Sequence, residues 1–195
     1  MITEYIMCYF VYLSVIIIGF VYGKKMGAFK CKFPLILLLT FPTKNIILAI
    51  ILGCEAIAAY MDIKNNMDVF DMYHYTAYMA IVIGIIVTVT NEGFIFFSYI
   101  RLYDLLPLIF VLITVKTRGF SDTLAMVAYC TYALYTKTDA LFVLIAIFAS
   151  YLLQILIQII HCKKIHIKFK KHEHLPFLPA LYIGHGVIFT IATFL

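Results

Sequence analysis

Tryptophan is absent from this 195-residue sequence, and only 13% of its residues are charged. A soluble globular domain carries about 25% charged residues and is about 45–50% apolar. Here the apolar share is 65% and the mean hydropathy is +1.03. A chain of that composition cannot cover its surface with polar groups in water, so a lipid bilayer is its expected solvent. Without Trp, the aromatic residues of a membrane interface must come from the 15 Tyr and 17 Phe. Paired cysteines are missing too. Cys8, Cys31, Cys54, Cys130 and Cys162 are scattered, with no Cys-x-x-Cys, so neither a disulfide framework nor a zinc site is expected. Cys8, Cys54 and Cys130 fall in apolar segments, where a free thiol acts as a small hydrophobe. A basic leading region is also lacking. Glu4 is the only early charge, and Lys24 and Lys25 follow the first apolar stretch, so Met1 to Gly23 is expected to be a retained helix rather than a signal peptide.

What is present is a series of apolar runs. A membrane span needs about 20 mostly apolar residues. Tyr5 to Tyr22, Asn45 to Met61, Met72 to Thr90, Phe94 to Val115, Phe120 to Thr136, Asp139 to His161 and Leu175 to Leu195 read as helices. The fold class expected is all-α, a transmembrane bundle of about six or seven spans. Phe33 to Phe41 would reach only about 14 Å as helix, too short for a hydrocarbon core of about 30 Å, and reads as a short re-entrant or distorted segment. The sequence thus divides into residues 1–44, a first span with a basic loop and that short segment, and 45–195, the main bundle. The length suits one domain, and no internal repeat interrupts it.

The formal net charge is +5, and its placement carries more meaning than its size. Lys24, Lys25, Lys30 and Lys32 share one loop, and Lys163, Lys164, Lys168, Lys170 and Lys171 another. Nucleic-acid binding would need a folded basic face. Short lysine-rich loops between apolar helices instead read as positive-inside signals that contact anionic lipid. With the loop from Cys162 to His174 in the cytoplasm, alternation places Asp62-Ile63-Lys64 and Lys116-Thr117-Arg118 there too, and Asn91-Glu92-Gly93 outside. Asp62 and Asp122 then fall at one, cytoplasmic, face.

An Asp at the centre of an inserted helix costs roughly 2.5–3.5 kcal/mol, so acids in or beside apolar helices are functional candidates. Here they are Glu55, Asp62, Asp104 and Asp122. Asp62 and Asp122 each close or open a helix beside a polar, cationic stretch. Two carboxylates held close do not both ionise readily. One can activate a water as general base while the other, protonated, polarises a carbonyl. The competing reading is two interfacial carboxylates facing water. Glu55 precedes Asp62 by seven residues and so shares its helix face; an interhelical hydrogen bond is its expected role. Arg101 and Asp104 stand at i and i+3, the spacing of an intrahelical ion pair. Asp68 and Asp71 are expected to be solvated, and Lys137 and Asp139 to form a loop. His161, His166, His172 and His174 do not make a metal motif, because His172-Glu173-His174 is too short for His-Glu-x-x-His and lies among lysines. Tyr129, Tyr132 and Tyr135 form a stripe of the kind that packs helices.

Three stretches carry a family likeness. Ala58-Ala59-Tyr60-Met61-Asp62-Ile63-Lys64 is an apolar helix ending in Asp, an aliphatic and a basic residue. Arg118-Gly119-Phe120-Ser121-Asp122 approximates Gly-x-Gly-Asp. Pro176-Phe177-Leu178-Pro179-Ala180-Leu181-Tyr182-Ile183-Gly184 approximates Pro-Phe-Gly-Pro-x-Leu-x-x-Gly. In order and in aspartate separation (122 − 62 = 60 residues), residues from Asn45 to Leu195 resemble the type IV prepilin peptidases, intramembrane aspartic peptidases of the GxGD class. Ser121 stands at the second motif glycine, Leu124 at the position of a common Lys, Leu178 at a glycine of the third motif, and Met67-Asp68-Val69-Phe70 replaces an Ile-Pro.

The resemblance implies a protease with Asp62 and Asp122 as its catalytic pair. Lys64, Gly119, Ser121, Pro176, Phe177, Pro179 and Gly184 would be supporting motif residues. No cofactor and no metal are implied. The substrate would be a prepilin-like precursor cut at the cytoplasmic face of a prokaryotic inner membrane. Only Cys31 lies where bifunctional members carry a four-cysteine loop, so the likeness is to the short, peptidase-only form and no methyltransferase activity is expected. Two other classes stay open. A degenerate member acting as a membrane assembly scaffold is motivated by Ser121 and Leu124. A small transporter is motivated by Glu55, Arg101 and Asp104, which would then line one polar path.

Overall fold

In lipid every backbone N–H and C=O must be satisfied within the protein, and an uninterrupted apolar segment does this most simply as a helix. The structure, a computed structural model, describes residues 2–27, 34–64, 72–93, 95–114, 119–164 and 177–194. Among these it is all-helical, with no strand. The helices are α1 (Ile2–Lys25), α2 (Ile46–Lys64), α3 (Met72–Glu92), the single turn α4 (Ile95–Ser98), α5 (Leu106–Ile113), α6 (Phe120–Thr136), α7 (Ala140–Lys164) and α8 (Leu178–Phe194).

Among the described residues, four helices are long and apolar enough to cross a membrane: Ile2–Lys25, Ile46–Ile63, Met72–Glu92 and Ala140–Cys162. That falls short of the six or seven spans expected, for two reasons. First, the run from Phe94 to Val115 is not one helix. Within it α4, a 3-10 turn at Leu102–Leu105 and α5 follow one another. Arg101 is extended, and its backbone N–H donates to Asp104 Oδ2 at 2.8 Å, which caps the 3-10 turn. Pro107 then sits in the first turn of α5, where its missing N–H costs nothing. Second, α6 and α8 have 17 residues each, about 26 Å of helix, slightly less than the hydrocarbon thickness of about 30 Å.

α2 is the central helix. Of its span 72% is buried, against 28% for α1, 33% for α3 and 28% for α7. It packs against α1, α3, α6 and α8, while α7 packs chiefly on α8. Small residues allow this: Gly53, Cys54, Ala56, Ala58 and Ala59 let neighbouring backbones approach. A Cβ on Gly53 would stand 2.8 Å from Val15 Cγ1 of α1. The outer helices turn Ile17, Ile18 and Val21 of α1 and Leu152, Leu156 and Ile160 of α7 outward, an apolar surface suited to lipid.

Asn45 starts α2 by accepting the N–H groups of Ile47 at 2.9 Å and Leu48 at 3.2 Å, which satisfies two of the orphan donors of a helix start. Asn45→Ala is expected to lower the stability of the detergent-solubilised chain by about 1 kcal/mol, read from thermal melting. The α7–α8 contact is tighter. A Cβ on Gly184 would run into Ser150 Oγ and lie 3.0 Å from the Ser150 backbone nitrogen. Backbone cannot move aside as a side chain can, so Gly184→Ala is expected to force the two helices apart and cost about 1–3 kcal/mol in the same measurement.

Residues 34–44 hold no helix beyond a single 3-10 turn at Leu35–Leu38. The carbonyls of Leu37, Leu38 and Leu39 are met by α1 instead. Tyr12 OH donates to Leu37 O and Leu39 O, both at 2.9 Å, and Tyr9 OH to Leu38 O at 3.2 Å. Irregular backbone held this way within protein is the form a membrane protein tolerates.

Candidate functional site

Asp62 lies in the last turn of α2 and is 4% exposed. Its Oδ2 accepts the backbone N–H of Leu178, the first residue of α8, at 3.1 Å. The first-turn N–H groups of a helix have no carbonyl one turn back, and a carboxylate there also meets the positive end of the helix dipole. Pro179, next in α8, has no N–H to satisfy and suits a helix start. Phe177, just before α8, stacks on Tyr151 of α7 at 5.2 Å. The end of α2 and the start of α8, 116 residues apart in sequence, are thereby tied together. Lys64 is the last residue of α2. Pro176, Asp68, Asp71, Lys116, Arg118, His166, His172 and His174 lie outside the described residues.

Gly119 caps α6 in extended conformation, and its carbonyl accepts the Thr123 N–H at 3.1 Å. Asp122 sits in the first turn of α6. Its Oδ2 lies 3.3 Å from where a Cβ on Gly119 would stand. Glycine at 119 therefore leaves the room into which the Asp122 carboxyl folds back.

A connected chain of polar groups lies in the interior near these two acids. Glu55 of α2 is 1% exposed and His74 of α3 is fully buried. His74 Nδ1 is 3.0 Å from Glu55 Oε1, and His74 Nε2 is 2.6 Å from Ser121 Oγ of α6. A buried charge is tolerated when paired and hydrogen-bonded, and His74 supplies Glu55 with that partner. The chain stitches α2, α3 and α6 together. Glu55 thus makes the interhelical hydrogen bond expected of it. His74 escaped the sequence reading, which weighed acids inside apolar spans and did not extend the same reasoning to a histidine two residues into the run from Met72. The signal was present, since any ionisable residue in such a span is a functional candidate.

The helix starts and ends gather these groups at one end of the bundle. α2 runs to Lys64, and α3 begins eight residues later at Met72. The His74–Ser121 bond sets the start of α6 beside the start of α3, and the Asp62–Leu178 bond sets the start of α8 beside the end of α2. Asp62, Ser121 and Asp122 share that end. Glu55 lies two turns deeper along α2 than Asp62, about 10 Å.

Arg101 and Asp104 do pair, with Arg101 Nε 3.6 Å from Asp104 Oδ2, but in an exposed capping arrangement rather than inside a helix. The Arg101 guanidinium also donates to Tyr103 OH at 2.7 Å, which in turn donates to Asp139 at 3.3 Å. These groups sit apart from the Glu55–His74–Ser121 chain. Tyr129 and Tyr132 are core: Tyr129 stacks on His185 at 4.3 Å, and Tyr132 meets Phe189 edge-on at 5.5 Å. No protein-family model, no curated protein and no solved structure matches the chain.

Proposed function

We propose that this chain is an intramembrane aspartic endopeptidase that removes the leader peptide of type IV prepilin-like precursors. The observation that carries the reading is the Asp62–Leu178 hydrogen bond. It joins two of the three stretches on which the family likeness rests, and it buries the carboxylate at the mouth of α8. The third stretch begins α6 at the same end of the bundle and carries Asp122. In this reading one carboxylate holds a water and removes its proton as the oxygen attacks the scissile carbonyl. The other, protonated, donates to the developing oxyanion. Either aspartate can begin as the base, because a coupled pair titrates as a unit.

The site would face the cytoplasm of a prokaryote at its inner membrane. The lysine-rich loops would hold that side against anionic lipid, and α6, α8 and the α4–α5 stretch would complete six or seven crossings by tilting or local thinning of the bilayer. The precursor would present a basic leader in the cytoplasm and an apolar helix in the membrane. The test is co-expression of a tagged prepilin-like precursor with the full chain in membranes. A shortened product whose new N-terminus lies between leader and apolar helix supports the reading, and an uncut panel of precursors opposes it.

A further inference from the structure

A nucleophile, a base and a group that orients the base, linked in series by hydrogen bonds, are the parts needed for acyl transfer through a covalent intermediate. Ser121 Oγ, His74 Nε2, His74 Nδ1 and Glu55 Oε1 stand in that series at 2.6 and 3.0 Å. We propose that Ser121, His74 and Glu55 form a second, serine-type acyl-transfer site of this protein, acting on an ester or amide carbonyl that enters from the end of the bundle. This inference does not rest on the aspartic reading. It uses neither Asp62 nor Asp122.

The roles follow from position. Glu55 is a positioning residue. Buried on α2, its carboxylate lies 3.0 Å from His74 Nδ1; a carboxylate only accepts, so it favours the Nδ1–H tautomer, in which the Nε2 lone pair faces Ser121. His74 is fully buried, so its ring is fixed by packing as well as by the two hydrogen bonds. Ser121 is half-buried and follows Phe120, which is 63% exposed. The hydroxyl is therefore at the rim, where a substrate can reach it, while its base and orienting group lie inward. Ser121 also stands in the first turn of α6, where backbone N–H groups lack intrahelical acceptors and the helix dipole is positive.

The step balances without an external oxidant or metal. Ser121 gives its proton to His74 Nε2 as Oγ bonds to the carbonyl carbon. The tetrahedral oxyanion collapses, the carbon–oxygen or carbon–nitrogen bond breaks, and the leaving alkoxide or amine takes the proton back from His74. Water, deprotonated by His74, then releases the acid from acyl-Ser121.

An alkyl fluorophosphonate tests this directly. The serine oxygen displaces fluoride from phosphorus, and the adduct is located by mass spectrometry of the full chain from native membranes. The expected result is an adduct at Ser121, lost on heat denaturation and in Ser121→Ala, a small change unlike one that would unfold the bundle. The rate should fall by about 10²–10⁴-fold in His74→Gln, and in the same direction in Glu55→Gln. An unlabelled Ser121 in the folded wild-type chain overturns the proposal. So does labelling that is equally fast in His74→Gln, because the serine would then be unactivated. Labelling does not involve precursor cleavage, so failure to cut a prepilin counts against the peptidase reading alone, and failure to label counts against the triad alone.

Discussion

Asp62→Asn and Asp122→Asn are each expected to abolish cleavage of a prepilin-like precursor while the chain still inserts and accumulates. The changes are nearly isosteric, and they remove the charge and the proton that a carboxyl pair shares. Loss of a positioned general acid or base typically costs about 10²–10⁴-fold in rate, enough to leave no product visible in a co-expression assay. The Asp62→Asn and Asp62→Ala variants should also differ in a secondary way. In Asp62→Asn the side-chain amide still offers an oxygen to the Leu178 N–H, so the α2–α8 link at 3.1 Å should survive, and thermal stability of the purified chain should change little. Asp62→Ala should lose the link, leave a first-turn donor of α8 buried without an acceptor, and lower stability by about 1–3 kcal/mol. The measurement is product formation on immunoblots, with insertion checked by membrane fractionation. Cleavage at wild-type level in both Asn variants would end the aspartic assignment.

The second large effect belongs to the Glu55–His74 pair. Both groups are buried, with side-chain exposure of 2% and 0%, and they lie between three helices. Removing one partner of a buried hydrogen-bonded pair leaves the other's polar group without a partner, at a cost of about 1–3 kcal/mol, more where that group is ionised. Glu55→Leu and His74→Leu should each melt far earlier than the wild type in detergent micelles. The double variant should be better than the sum of the two, because an apolar pair leaves no stranded polar group. Additive losses would mean that the two side chains do not depend on each other. Gln at either position keeps a hydrogen-bonding group in place, so Glu55→Gln and His74→Gln should be milder in stability than the Leu changes. That difference separates the structural work of the pair from any work on Ser121.

How much of this was readable beforehand depends on the range of the interaction. Membrane character followed from composition, because scarce charge and abundant apolar side chains act locally and everywhere along the chain. Helix positions followed for the same reason: α1, α2, α3, α6, α7 and α8 lie close to the runs expected, since each run satisfies its own backbone. Asn45 was the expected first residue of α2, and its side chain caps that helix. The run from Phe94 to Val115 misled because hydropathy averages over the few residues that decide. Arg101 and Asp104 offered the correct spacing for an ion pair, yet the pair formed as a cap that breaks the run instead of a bridge within it.

By itself the sequence determined solvent and class: an all-helical protein for lipid, with acids at helix ends. Tertiary structure alone decided what those acids meet. That Asp62 touches the start of α8, and that Glu55 reaches Ser121 through a histidine on a third helix, depends on how α2, α3, α6 and α8 cross. Helix crossing is set by side-chain packing and close backbone approach at small residues, summed over contacts between segments distant in the chain, and no local pattern encodes that sum.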